Sequence, residues 1–253
     1  MILQPQPLLK RDPKSRPVAI VTGASRGLGA VIARLLAKEG FALVIDSRNA
    51  ADVEVAAEHL RKLGATAVAV PGDVRKPAHR HDLIAAARGL GGLDLLVNNA
   101  SELGPTPLPP LSALDHVALE DVLRANVVAP LGLVQEALPL LKERRGLVVN
   151  ISSDAARGGF AGWGAYGASK AALDLISLTL ANELRDFGVG VVAVDPGDMR
   201  TKMHQDAYAG QDISDRPLPE VTLPFWAWLF GRVPSEVSGA RFQAQSDRWE
   251  VPT

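Results

Sequence analysis

Val18-Ala19-Ile20-Val21-Thr22-Gly23-Ala24-Ser25-Arg26-Gly27-Leu28-Gly29 runs from four apolar residues, through a glycine-rich turn, into a helical pattern. A short apolar run bounded by turn residues reads as a buried strand. Leu28, Ile32, Leu35 and Leu36 then recur at helical spacing over residues 28–39, and Gly40 closes the helix. Gly23 permits the tight turn, Gly27 lets a phosphate approach the backbone, and Gly29 lets the helix lie near the sheet. A helix start offers free N–H groups and the positive end of its dipole, which suits a pyrophosphate. The unit therefore reads as a nucleotide site built on Gly23, Ser25, Arg26, Gly27, Leu28 and Gly29, with GxxxGxG spacing.

The alternation continues outward. Strands are expected at Ala42–Ile45, Thr66–Val70, Leu93–Val97, Leu147–Ile151, Val189–Val194 and, more weakly patterned, Ala240–Gln243. Helices are expected at about 52–63, 77–88, 118–142 and 165–185, the third of these bent at Pro130 and Pro139. Such alternation predicts an α/β fold, a doubly wound and mostly parallel seven-stranded sheet with helices on both faces. Ligands of such sheets bind beyond the carboxyl ends of the strands, where strand order reverses.

Formal net charge is −1, so no electrostatic footprint points to nucleic acid or a membrane surface. There is no cysteine, which removes disulfides, thiolate metal sites and a Cys nucleophile. Residues 1–16, broken by Pro5, Pro7 and Pro13, read as a flexible or surface-draped tail without a signal peptide. Residues 17–253 read as a single domain, and a cytosolic protein with no membrane span is expected.

Tyr166 and Lys170 stand four apart in the helix expected at 165–185, hence on one face. A phenol normally titrates near ~10. A neighbouring ammonium favours the phenolate and makes the pair a plausible proton-transfer device.

Together, Thr22 to Gly29, Asn98-Asn99-Ala100, Asn126, Ser153, Tyr166, Lys170 and Pro196-Gly197 resemble the short-chain dehydrogenase/reductase family from about Val18 to Thr201. The resemblance implies a Rossmann-type fold and an oxidoreductase moving hydride between a nicotinamide and a small-molecule carbonyl or alcohol. Tyr166 would be the general acid or base. Lys170 would lower its pKa and bind the ribose. Ser153 would hold the substrate oxygen, with Ser152 as the neighbouring alternative, and Asn126 would support a proton relay. Asp73 and Val74 would bind adenine, and Asn99 and Ala100 would line the adenosine and ribose. Pro196 and Gly197 would face the nicotinamide, with Met199 and Thr201 near its carboxamide. Ser101 departs from the family's usual glycine. A substrate lobe at about 199–232 and a homodimer or homotetramer through the helices at 118–142 and 165–185 are also implied.

The resemblance leaves the choice of cofactor to Ile45-Asp46-Ser47-Arg48. The acid that would select NAD falls at Ser47, one residue past Asp46, and that step turns a strand side chain to the other face. Arg48 and Arg26 could clamp a 2′-phosphate, so NADP(H) is favoured; NAD(H) stays possible if the strand ends earlier. His79-Arg80-His81 resembles a metal HxH, but a solvated helix start is expected, and no metal. Phe160, Trp163, His204 and Tyr208 are substrate-pocket candidates. The segment Pro224 to Phe230 is expected in the core, with a pocket lid or subunit contact as alternatives. A non-catalytic nucleotide-binding regulator is the competing class, weakened by the intact set Asn126, Ser153, Tyr166 and Lys170.

Overall fold

Short apolar strands need both faces covered, and the computed structural model, which describes Leu8 and residues 16–251, shows what covers them. Seven strands, β1 (Val18–Val21), β2 (Ala42–Ser47), β3 (Ala67–Pro71), β4 (Leu95–Asn98), β5 (Leu147–Ile151), β6 (Gly190–Asp195) and β7 (Arg241–Gln243), form one sheet in the order β3-β2-β1-β4-β5-β6-β7. Every neighbouring pair is parallel. The helices are α1 (Gly27–Lys38), α2 (Ala50–Lys62), α3 (Pro77–Gly89), α4 (His116–Leu123), α5 (Ala129–Arg144), α6 (Ala155–Gly158), α7 (Gly164–Glu183), α8 (Lys202–Ala207), α9 (Leu223–Phe230) and α10 (Pro234–Val237).

The period of two along β1 divides the core. Ala19 and Val21 join one apolar cluster with Ile32 and Leu36 of α1 and Phe225, Trp226 and Phe230 of α9. Val18 and Ile20 join the other, with Leu83 of α3 and Leu133 and Leu141 of α5. Full burial of each such side chain contributes about 1.5–3 kcal/mol. The aromatic segment thus packs in the core, as expected, with the Trp226 indole donating to Thr222 Oγ1 at 2.8 Å. Leu8 is buried in the same cluster; apart from Leu8 and Arg16, the expected tail lies outside the described residues.

Where bounds differ from the sequence reading, a polar side chain explains it. β2 runs on to Ser47, two residues past its expected end, because Asp46 is buried against His79 rather than solvated. Asn49 caps α2 by accepting from Ala51 and Asp52 N–H, so the helix starts at Ala50. Asp115 caps α4 likewise, two residues early. The bend expected at Pro130 is taken up just before it by a π-helical turn, Arg124–Val128, in which Ala129 N–H reaches back to Arg124 O. His79 and Arg80 are buried, which corrects the expectation of a solvated helix start. Arg80 ties the Val74 and Arg75 carbonyls to Glu136 of α5.

Candidate active site

Strand order reverses between β1 and β4, and the crevice there opens into a cavity of about 820 Å³. All but two of the site residues expected from sequence line it. The exceptions are Gly29 and Asn126, which stand behind its wall.

The glycine loop forms one end. Gly23 and Gly27 have φ of +64° and +57°, a region that favours glycine. Arg26 precedes α1 without a side-chain cap, so the first N–H groups of the helix are left for a ligand. Gly29 lies close against the loops that leave β1 and β4. A Cβ there would lie 2.5 Å from Asn99 Nδ2 and 2.6 Å from Gly23 O, so its bareness lets the loop fold onto its own helix. Gly29→Ala should cost about 1–3 kcal/mol, whereas Gly89→Ala, with nothing within 4 Å, should change little. Urea unfolding of the two variants side by side checks this, and equal midpoints would refute it.

Three polar side chains hold the loop. Thr22 Oγ1 accepts from Asn99 N and Ala100 N, both at 2.9 Å. Asn99 Nδ2 donates to Thr22 O at 2.8 Å and Gly23 O at 3.1 Å, so its amide braces the loop. Asp46 Oδ1 accepts from Gly23 N at 2.6 Å and Oδ2 meets His79 Nε2 at 3.0 Å. Both carboxylate oxygens are engaged, and the side chain is almost fully buried. Ser47, the next residue, lines the cavity half-buried, and Arg48 beyond it is exposed, paired to Glu102 at 3.1 Å. Asp73 is held by Arg75, with Nη2 to Oδ2 at 2.6 Å. That hydrogen bonding keeps its carboxyl below the ordinary range. Val74 is buried beside it, and Thr201 caps α8 facing Gly27.

The other end carries the hydroxyls and the ammonium. Tyr166 is packed edge-on against Trp163, with centroids 5.7 Å apart. The Tyr166 phenol is pushed up to about 12, chiefly by burial, against the opposing pull of hydrogen bonds from Ser101 and Ser153. Lys170 donates to Ile151 O at 2.7 Å, and its Nζ lies 5.3 Å from the Tyr166 ring. Burial brings the ammonium down to about 8. The expected depression of the tyrosine by the lysine is therefore not seen: desolvation moves the two groups toward neutrality together. Ser153, rather than Ser152, has its hydroxyl at the phenol; Ser152 Oγ is buried without a partner.

Asn126 sits in the π turn, fully buried. Its Oδ1 accepts from Glu102 N at 2.8 Å and Ser101 Oγ at 3.1 Å, and its Nδ2 donates to Ser169 Oγ at 2.9 Å. It contacts the β4–α4 loop and α7 directly.

Sequence reasoning missed Thr22 as the clamp, the Asp46–His79 pair and Ser101's hydroxyl. It also missed Arg241, which donates to Asp174 at 2.8 Å and to Ser153 O at 2.7 Å beneath the site. Each is a tertiary contact with no motif spacing. Phe160, Trp163, His204 and Tyr208 all line the cavity, with His204 stacked on Tyr208 at 4.9 Å. Of residues 199–232, the cavity takes members of the first ten, while α9 lies in the core. Among the described residues no cluster could hold a metal ion, and no helix is long and apolar enough to cross a membrane.

Known proteins share this architecture throughout. The oxidoreductase YciK of Escherichia coli is 31% identical over 249 residues, covering 94% of this chain and 96% of that protein. A short chain dehydrogenase from Shigella flexneri, solved with NADP, superposes with a TM-score of 0.84 at 30% identity over 91% of this chain and 97% of that one. Another from E. coli, solved with NADPH, gives 0.83 at 30% identity over 93% and 100%. Residues 17–212 match the family model for short chain dehydrogenases. With the glycine loop, the hydroxyl cluster and the buried lysine arranged around one crevice, the chain belongs to the short-chain dehydrogenase family of oxidoreductases.

Proposed function

We propose that the chain transfers hydride between NADP(H) and a carbonyl or secondary alcohol substrate, with Tyr166 as general acid in reduction and general base in the reverse direction. The observation that carries this is the single cavity with a dinucleotide cradle at one end and the Tyr166–Ser153–Lys170 cluster at the other. The residues present fit the cofactor: the uncapped start of α1, the bare backbone at Gly23 and Gly27, and Val74 beside Asp73. When bound, the nicotinamide supplies or accepts the hydride. Ser153 would hold the substrate oxygen against the phenol, and Asn126 would brace the wall. Trp163, Tyr208 and Met203 would exclude water around the reacting carbon.

The preference for NADP(H) rests on the register of β2. Asp46 faces the glycine loop and is spent on Gly23 and His79, leaving Ser47 and Arg48 at the rim. The exposed Arg48–Glu102 pair is weak and can yield to a phosphate. That two similar proteins were solved with NADP and NADPH supports the choice. Calorimetry on wild type and Arg48→Ala tests it. NADPH should bind tighter than NADH, and the substitution should weaken NADPH by about tenfold while sparing NADH. Tighter NADH binding, indifferent to Arg48, would overturn the assignment. The exposed apolar side chains Val117, Val128, Leu175 and Leu178 on the α4–α5 and α7 segments support a homo-oligomer.

A further inference from the structure

Arg241 stands on β7 beside Ala193 of β6, and its side chain is 13% exposed. Its guanidinium joins three segments beneath the site. Nε donates to Asp174 Oδ2 of α7 at 2.8 Å, and Nη2 donates to Ser153 O at 2.7 Å. The same Nη2 lies 3.4 Å from Asp195 Oδ2 at the end of β6, and the other oxygen of that carboxylate accepts from Gly197 N–H at 3.0 Å. Asp174 follows Lys170 by one helical turn, and Lys170 donates to Ile151 O. The chain leaving β5 is thus held to α7 at two carbonyls, Ile151 by Lys170 directly and Ser153 through Arg241 and Asp174. Ser153 O also accepts from Ala156 N–H at 3.2 Å, but that bond stays within the turn into α6 and fixes nothing against α7.

We propose that Arg241 is a positioning residue for Ser153, a buried fork that fixes the serine's place against α7 and so aims its hydroxyl at the substrate oxygen. The proposal rests on Ser153 being the group that holds that oxygen. A guanidinium donates from one rigid edge, so the Asp174 and Ser153 contacts constrain each other. Its charge also faces Asp174 and Asp195 together, and removing it outright would leave two largely buried carboxylates unpaired. Lysine would keep the charge, but as one nitrogen on a flexible stem it cannot hold Asp174 and Ser153 O in these places at once. The nearby Pro196-Gly197 turn has a brace of its own. Gln245 Nε2 donates to Pro196 O at 3.0 Å and to Asp198 O at 2.9 Å. Loss of the fork should therefore fall on Ser153 and spare the cofactor end of the cavity.

Two variants test it: Arg241→Lys, which keeps the cation, and Arg241→Gln with Asp174→Asn, which removes the fork and one of its carboxylates together. Crystal structures of both beside wild type should show an unchanged sheet and Ser153 Oγ displaced by about 0.5 Å or more, or spread over two rotamers. Calorimetry should give NADPH affinities unchanged from wild type. Stopped-flow reduction of ethyl acetoacetate with NADPH should lose about 10²-fold in hydride-transfer rate. In a Ser153→Ala background, Arg241→Lys should add almost no further loss, because residues that act through one group are not additive. Ser153 superposed on its wild-type place in both variants would overturn the proposal, as would an equal further loss in the Ser153→Ala background. Wild-type turnover in Ser153→Ala itself would instead overturn the reading of Ser153, and the crystal comparison would still decide whether Arg241 sets its place.

Discussion

Tyr166→Phe should lower kcat for NADPH-driven carbonyl reduction by about 10²–10⁴-fold, with NADPH affinity within a few-fold of wild type. The loss is assigned to one oxygen. In the proposed reading that oxygen is the proton donor, beside Ser153 in the cavity that Trp163, Tyr208 and Met203 also line. At neutral pH a phenol is protonated, the state required of an acid, and burial moves this one further up, to about 12. The neighbouring ammonium, brought down to about 8 by burial, is a competitor for the role. It points at the Ile151 carbonyl, however, and not at the hydroxyl cluster. Removal of the phenolic oxygen leaves the glycine loop untouched, so binding and chemistry should separate. Stopped-flow hydride transfer beside calorimetry makes the distinction. A variant retaining more than a tenth of wild-type turnover would mean the proton comes from elsewhere, with Lys170 the next group to test.

What could be read from the chain beforehand followed covalent spacing. The strand–loop–helix unit at 18–38, the alternation behind it and the four-residue step from Tyr166 to Lys170 are all local. They predicted the sheet and both ends of the cavity. Long-range pairing was invisible. Asp46 looked like the end of a strand, because nothing in Ile45-Asp46-Ser47 announces His79, 33 residues on. The same pair explains why His79 is buried and why Ser47, one step further, faces the cavity. Ser101 looked like a tolerated substitution in a loop, since its value depends on Asn126, 25 residues away in a π turn. The sign of the tyrosine's shift also escaped the sequence. Spacing told that the ammonium was near, but not that both groups were dry.

That dryness makes Lys170 costly to the fold, and Lys170→Met should show it. The lysine's pKa falls from 10.5 when free to about 8 in the native chain, because burial disfavours its charge. Below pH 8 the group is charged in both states and the whole penalty is present, on the order of 3 kcal/mol. Between about 8 and 10.5 the unfolded chain holds one more proton than the native one, so stability rises with pH. Tyr166 acts in the opposite sense and at higher pH. Its neutral form persists to about 12 in the native chain but only to 10 when unfolded, so stability is lost across that window. Lys170→Met should therefore unfold at higher urea than wild type at pH 7, and the gap should close by about pH 10.5. Its turnover should nonetheless fall by about 10²-fold or more, since the phenolate then loses its nearby cation. Should the variant be less stable at pH 7, or the gap be independent of pH, the contacts of the ammonium with Ile151 O and the tyrosine ring outweigh its desolvation. In that case Lys170 supports the fold. With the predicted closing gap, the chain keeps a destabilising charge beside the phenol to which the proposed proton transfer is assigned.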